Sequence, residues 1–161
     1  MKILNPPRIS WSLCVLTLVL AWAALLPVQA QSRYTYSTDG SEVTDARTGL
    51  IWRRCSAGQT WNGGACTGGI TVFTHEAALS YAATQTGWRL PNVKELTSLA
   101  DTSRTNPAID TVAFPSTPSA TYWSSTPDVQ LSSSAWSTEF VMGAVNSTAR
   151  NTFSVLVRLV R

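Results

Sequence analysis

The chain has 161 residues, carries a formal net charge of +3 and contains 44% hydrophobic and 13% charged residues. This length suits a single domain with a core of its own, and the small charge excludes a dedicated nucleic-acid-binding protein. One histidine and three cysteines leave few ligands for a transition-metal centre.

The first 30 residues have the pattern of a secretory signal peptide. Lys2 and Arg8 form a positive amino-terminal region, an almost wholly apolar run extends from Trp11 to Leu26, and a cleavage site follows at Ala30. A retained membrane anchor is the alternative, although the apolar run is shorter than the roughly 20 residues that span a bilayer. We therefore expect export to the periplasm, the cell surface or the medium, no membrane contact after cleavage, and one domain over residues 31–161.

The predicted domain is nearly neutral and contains two cysteines. Removal of Lys2 and Arg8 leaves 10 basic and 9 acidic residues, a formal charge of +1. An even number of cysteines in an exported chain favours a disulfide, here between Cys55 and Cys66 across a glycine-rich loop. A zinc site is the alternative, but zinc needs four ligands and His75 has no ligand-like spacing to either cysteine.

Residues 33–54 are predicted to form three short strands. Apolar or aromatic residues alternate with polar ones, as in half-buried strands, and Asp39-Gly40 is a hairpin signal. A second turn begins near Asp45 and ends at Gly49. The three strands are RYTYS, SEVTD and LIWRR.

Two short helices are predicted over residues 75–84 and 93–100. The first begins after Thr74, a favourable N-cap, and its alanines allow close packing against another element. His75 stands at its start, where we expect a surface or capping role.

The segment GWRLPNVKEL joins the two helices. Asn92 and Glu95 have the spacing of a capping box, so the second helix is expected to begin after Asn92. Pro91 stands just before this cap, where its missing N–H costs nothing, and Arg89 is placed to reach Glu95 or a backbone carbonyl. Capping and packing explain this segment, in which Trp88 is assigned to the core.

Residues 101–127 contain four prolines, which predicts a long loop, ordered because Ile109 and Phe114 need burial. The segment TYWSS is a candidate strand. AWSTEFVMG is predicted as a strand with Trp136 and Met142 on one face, AVNSTAR as a turn, and TFSVLVRLV as a last strand with alternate residues facing one way. RYTYS is expected to pair with this last strand.

Taken in order, several segments of the chain resemble the Lcl-type C-terminal domain, a bacterial family. The similarity covers residues 43–161, and the family is grouped with C-type-lectin-like folds; RLPNVKEL is also similar to an element of the formylglycine-generating-enzyme fold. The resemblance implies an α+β fold with two short helices packed on a twisted antiparallel sheet and long loops. The segments are VTDARTGLIWRR, GWRLPNVKELTSLAD, NPAID, FPSTPSATYWSST, AWSTEF and VRLVR.

The residues that carry the resemblance are assigned structural roles. Many relatives have cysteines in the first helix and near the end, where this chain has Ala82 or Ala83 and Leu159. If those cysteines pair in the relatives, this chain lacks their bridge and has a different one. The structural motif residues are Asp45, Gly49, Trp52, Trp88, Arg89, Pro91, Asn92, Glu95, Trp123 and Trp136.

No catalytic residue, metal site or cofactor is predicted, and the protein is not expected to be an enzyme. His75 has no nucleophile or orienting group in a recognisable sequence frame. The chain lacks the EPN-like and WND segments with which C-type lectins bind calcium and sugar. The late loops hold few acidic residues for the roughly six to eight oxygen ligands of calcium.

A ligand-binding surface is predicted at Trp61, in the disulfide loop, together with Arg53, Arg54 and Arg150. An exposed indole would offer a stacking platform for a sugar ring or a partner side chain. We therefore expect an exported, non-catalytic binding module in surface attachment, with a glycan or a surface protein as its partner. The alternative is a structural or assembly subunit of an envelope or fibre complex.

Overall fold

The computed structural model describes Lys2 and residues 32–161. Apart from Lys2, the predicted signal peptide lies outside these residues, so its cleavage stays a prediction. Across residues 32–161, short antiparallel strands and two short helices alternate with long loops, which confirms the α+β class. The elements are β1 Tyr34–Tyr36, β2 Glu42–Asp45, β3 Ile51–Arg53, β4 Thr60–Trp61, β5 Cys66–Thr67, α1 His75–Thr84, α2 Val93–Thr97, β6 Thr121–Pro127, β7 Ser134–Glu139 and β8 Val145–Ala149.

The first sheet has the order β1-β2-β3 and contains the three strands predicted from residues 33–54. In its register Tyr34 opposes Asp45 and Val43 opposes Trp52, and these four side chains are buried, so each strand contributes to the core. Strand β1 pairs with β2, and the prediction that it pairs with the last segment is wrong. The backbone N–H of Ile51 donates to the carbonyl of Arg161 instead, at 3.0 Å, so the last segment lies along the β3 edge of this sheet.

The last segment is a buried connector rather than a strand with one buried face. Residues 156–160 are buried consecutively, whereas Phe153 is 55% exposed, so the predicted alternation is wrong. Val155 bridges Phe73, Leu156 bridges Tyr122, and Val160 bridges both Trp52 and Arg89. Neighbours on both sides therefore cover the segment, which removes the need for a polar face.

Helix α1 has the predicted bounds and the predicted cap. The Thr74 side chain accepts a hydrogen bond from the backbone N–H of Ala77, and Ala78 and Ala82 are buried beside Trp123. His75 is only 3% exposed, so the predicted surface role is wrong. Its ring is buried because it packs edge-on against Trp123, with centroids 5.1 Å apart.

Helix α2 begins as predicted and ends three residues early. Both hydrogen bonds of the predicted capping box are present, at 3.0 Å from the Glu95 N–H to Asn92 and at 2.8 Å from the Asn92 N–H to Glu95. The helix ends at Thr97, and Leu99 is buried beyond it in a turn that closes on Leu96. The capping box thus fixed the start of the helix, whereas tertiary packing decided its end.

The third sheet has the order β6-β7-β8, and β8 is the predicted turn AVNSTAR. That prediction is wrong because the chain reverses earlier, where the N–H of Gly143 donates to the carbonyl of Glu139 at 3.1 Å. Met142 is 62% exposed in that turn, so it does not share a buried face with Trp136. Trp136 itself is half-buried.

Two hydrophobic clusters form the core. The first contains Trp52 and is completed by Ile109 and Phe114, which confirms that the long loop is ordered by burial. The second surrounds Trp123 and contains Leu159. Trp88 is half-buried at the edge of this second cluster rather than inside it.

Candidate functional site

The disulfide loop contributes one wall of a cleft near the predicted ligand surface. Cys55 and Cys66 are bonded, with their Cα atoms 5.4 Å apart, which confirms the predicted pair. Within the loop, β4 and β5 form a two-stranded hairpin in which Trp61 opposes Cys66. The disulfide therefore holds Trp61 at a defined position beside the domain.

Trp61 is half-buried rather than freely exposed. Its Nε1 donates to the carbonyl oxygen of Asp39 at 2.9 Å, and the guanidinium carbon of Arg54 lies 4.0 Å from its ring centroid. Both contacts join the disulfide loop to the β1–β2 hairpin. One face of the indole is thus occupied by a cation, which limits the stacking platform predicted for Trp61.

Arg54 is a buried structural clamp rather than a ligand-binding cation. Its guanidinium donates to the carbonyl oxygens of Gly40, Val112 and Ala113 at 2.8–2.9 Å, and Tyr36 covers it at 4.5 Å. Burial lowers the pKa of Arg54 below its usual value. Because its donors are used inside the protein, Arg54 has little left to offer a ligand.

The cleft between the disulfide loop, β3 and α1 has a volume of about 210 Å³ and is called here the disulfide cleft. Hydroxyl, amide, aromatic and guanidinium groups line it, and no carboxylate does. Its walls come from four separate parts of the described chain. The lining residues are Ser41, Arg53, Cys55, Ser56, Ala57, Gln59, Thr60, Trp61, Tyr81 and Leu159.

Arg53 is the exposed cation of the disulfide cleft. Its guanidinium carbon lies 4.8 Å from the centroid of the Trp88 ring, and Arg161 contacts the same ring at 4.8 Å. Arg161 is paired with Glu42 at 2.6 Å, whereas Arg53 has no ion pair among the described residues. Arg53 therefore supplies uncompensated positive charge beside an aromatic surface.

The floor of the disulfide cleft is polar. The hydroxyls of Ser56 and Tyr122 lie 2.7 Å apart in a hydrogen bond. Oε1 of Gln59 is shielded from solvent and has no hydrogen-bond partner among the described residues. A buried acceptor without a donor costs about 1–3 kcal/mol, so this position favours a rearrangement or a ligand that supplies a donor.

Arg158 supports the cleft from inside the core. It is fully buried, and its guanidinium donates to the carbonyl oxygens of Arg53 and Arg54 and to the hydroxyl of Thr117. A weaker contact of 3.4 Å reaches Ser56. Arg158 thus fixes the backbone that presents Arg53 and Ser56 to the disulfide cleft.

Arg150 lies in a different pocket, so the predicted grouping of four residues is only partly realised. The structure brings Arg53, Arg54 and Trp61 together, whereas Arg150 lines a cavity of about 300 Å³ with His75 and Glu76. Nε of Arg150 donates to the carbonyl oxygen of Ser134 at 2.8 Å.

The neighbour of Arg150, His75, is part of the core. Its Nε2 lies 3.0 Å from the carbonyl oxygen of Ser124. Since that oxygen only accepts, Nε2 is the donor in this contact. Burial, and to a lesser extent the charge of Arg150, lowers the pKa of His75, while the bond to Ser124 opposes the shift.

The carboxylate of Asp45, one of the motif residues, accepts several hydrogen bonds inside the protein. It is fully buried and accepts two hydrogen bonds from Arg33, at 2.9 and 2.7 Å, and others from Arg47 and Thr48. Although burial acts to raise the pKa of Asp45, these bonds hold it below the usual value. The turn it organises ends at Gly49, whose φ of +74° favours a residue without a side chain.

The guanidinium of Arg89 donates two hydrogen bonds to the Glu95 carboxylate, at 2.7 and 2.8 Å. This contact is one of the two alternatives predicted for Arg89. The bond from Arg89 is the main reason that the pKa of Glu95 is lowered. Pro91 is buried, and its carbonyl accepts a bond of 2.7 Å from Ser125, which joins the segment to β6. These contacts are those of a structural junction.

Tyr81, Gln59 and Arg158 were not anticipated as parts of the site. Tyr81 lies on α1 and stacks on Phe73 with ring centroids 4.9 Å apart. The helical pattern of the sequence predicted that Tyr81 packs, but not that it lines a cleft. The one signal for Arg158 was a charged residue inside the apolar run SVLVRLV.

The described residues contain neither a membrane-spanning helix nor a metal-ligand cluster. None of their helices combines the length and apolar character needed to cross a bilayer. Within the same residues, no three His, Cys, Asp or Glu side chains are grouped so that they could hold a metal ion.

Comparison with known proteins gives one match. No curated protein and no solved structure matches the chain. The family model of the Lcl C-terminal domain matches residues 41–161, which include the disulfide cleft, both helices and the third sheet. The chain therefore belongs to the Lcl C-terminal domain family.

Proposed function

We propose that this protein is an exported, non-catalytic binding module of C-type-lectin-like architecture that acts in surface attachment. The observation that carries the proposal is the disulfide cleft, whose lining includes Tyr81, several hydroxyl groups and the unpaired cation of Arg53, which also contacts Trp88. Aromatic surface with a few placed polar groups is typical of ligand sites.

A glycan on a surface is the ligand class that suits this cleft best. Its volume of about 210 Å³ is below the roughly 300 Å³ at which sites that enclose a whole small molecule begin. It can therefore hold one unit of a larger ligand while the rest lies outside. The hydroxyls of Ser41, Ser56 and Thr60 match the polar edge of a sugar, and Tyr81 offers an apolar surface.

The lining also supports binding rather than catalysis. General acid–base chemistry most often uses His, Asp or Glu near the reacting atoms, and none of these lines the disulfide cleft. The single histidine is engaged with Ser124 in the core.

Titration calorimetry of the purified protein against neutral and acidic oligosaccharides tests the proposal. We expect saturable binding that Arg53→Ala weakens at least several-fold, because the substitution removes the exposed cation of the cleft. The fold should be kept, because the Arg53 side chain makes no hydrogen bond among the described residues. Arg150→Ala is the matched control and should leave the affinity unchanged. Absence of saturable binding, or equal losses in the two variants, would contradict the proposal.

A subunit of an envelope or fibre assembly is the second candidate. Ile70 and Val72 are 39% and 54% exposed and line a shallow, mostly apolar groove with Pro118 and Val155. Exposed apolar patches mark protein contacts in many proteins. A photo-crosslinker at Val72 should then capture a neighbouring subunit in intact cells, whereas one at Asn151 should not; equal yields would reject this candidate.

A further inference from the structure

Asn62 and Gly63 form an exposed Asn-Gly pair at the turn of the β4–β5 hairpin. Asn62, Gly63 and Gly64 are all exposed, and the hairpin is enclosed by the Cys55–Cys66 disulfide. The other asparagines of the described chain precede larger residues. They are Asn92, Asn106, Asn146 and Asn151, followed by Val, Pro, Ser and Thr.

The backbone nitrogen of Gly63 is unobstructed. Gly63 has a φ of +95°, and a side chain placed there would meet no atom within 4 Å, so the space around it is open. Its N–H has no hydrogen-bond acceptor among the described residues, whereas the neighbouring N–H of Asn62 donates to Ala65 at 3.1 Å. Nothing in the fold protects this nitrogen from losing its proton to solvent base.

The side-chain amide of Asn62 is polarised by two donors. Its Oδ1 accepts hydrogen bonds from the backbone N–H groups of Gly64, at 3.1 Å, and Ala65, at 2.9 Å. Such donors withdraw charge from Cγ and stabilise the negative charge that develops on the oxygen when a nucleophile adds, as an oxyanion hole does. The folded hairpin thus activates the electrophile next to a free nucleophile.

We propose that Asn62 is a self-modification site at which the folded hairpin promotes deamidation. The Gly63 nitrogen gives its proton to solvent and bonds to Cγ of Asn62. The bond from Cγ to Nδ2 then breaks, and the amide leaves as ammonia after gaining a proton, which closes a five-membered imide. Water opens the imide at either carbonyl and leaves aspartate or isoaspartate. One water is consumed, one ammonia is released, and nothing is oxidised or reduced.

The product places a new carboxylate next to Trp61, a lining residue of the disulfide cleft. An isoaspartate also lengthens the main chain within the loop closed by Cys55 and Cys66. Modification would therefore alter the charge and shape of the loop without opening the disulfide. The reaction itself does not depend on what the cleft binds.

Peptide mass spectrometry of the purified, disulfide-bonded protein during incubation at increasing pH tests this inference. We expect the conversion of Asn62 to precede that of Asn146 and Asn151, to accelerate with pH, and to disappear in Asn62→Gln. The reduced and unfolded chain should convert Asn62 more slowly than the folded protein, because it lacks the two fixed donors.

Two results would overturn the inference: conversion of Asn146 or Asn151 before Asn62, or faster conversion of Asn62 after unfolding. Gly63→Ala adds a second check, since a methyl group beside the nucleophile should slow the reaction several-fold. The comparison among native asparagines holds even where that variant folds poorly.

Discussion

The guanidinium of Arg158 lies 4.8 Å from the ring centroid of Phe114, with both side chains fully buried. No carboxylate among the described residues pairs with this cation. Carbonyl oxygens, hydroxyls and aromatic faces surround the guanidinium instead of a carboxylate. Burial lowers the pKa of Arg158. An isolated buried charge is costly. The role that we assign to Arg158 in return is to hold the backbone of Arg53 and Arg54 beneath the disulfide cleft.

Replacement of Arg158 by methionine should destabilise the protein strongly. The variant fills similar volume but leaves the buried carbonyls of Arg53 and Arg54 without donors, at a cost of about 2–4 kcal/mol. Urea unfolding followed by tryptophan fluorescence measures this. Arg104→Met, at an exposed ion pair with Asp101, is the control and should change the free energy of unfolding by less than about 1 kcal/mol. A loss equal to that of the control would show that Arg158 has no such role.

Asp45 should make the protein sensitive to acid. Its pKa is below the usual value of 3.8 in the folded state, so folding favours the ionised form. The stability gained from Asp45 is complete above about pH 4, because the unfolded group is then ionised too, and it is lost as the pH falls through the lower folded value. Asp45→Asn should lower stability at pH 7 and flatten the acid limb of the unfolding profile. An unchanged acid limb would contradict this assignment.

The Cys55–Cys66 bond should contribute about 3 kcal/mol to stability through its short closed loop. Cys55→Ser with Cys66→Ser removes it without leaving a free thiol, and denaturation compares the variant with the wild type. We also expect weaker ligand binding, because Trp61 and Thr60 lose their anchor to the cleft wall. Equal stability under oxidising and reducing conditions would contradict the stability prediction. An unchanged ligand affinity in the double variant would contradict the binding prediction.

His75 should add a second acid-sensitive step near neutrality. Its pKa is below 6.5 in the folded state, so the unfolded chain binds the proton more readily and stability falls as the pH drops from about 6.5 towards the lower folded value. His75→Gln should remove this step while keeping a donor towards Ser124. Thermal unfolding between pH 7 and pH 5 measures it, and an identical slope in both proteins would exclude His75 as its source.

The sequence by itself determined the features that depend on near neighbours. Thr74 and Asn92 set the starts of the helices because a cap acts over three residues. Cys55 and Cys66 could be paired because they are the two cysteines of the predicted domain, and they stand only 11 residues apart. The same local signals placed the strands β1 to β3 and the turn at Gly49.

Only the tertiary structure decided which side chains are buried and which residues line the disulfide cleft together. Arg54 and Arg158 look like surface charges in the sequence, yet their partners are 41 to 105 residues away for Arg158 and up to 59 for Arg54. Residues 156–160 are buried on both sides because elements from three distant parts of the chain bridge them. Alternation predicts burial only where one side meets solvent, and the disulfide cleft exists because the fold brings Arg53, Gln59 and Tyr81 to one place.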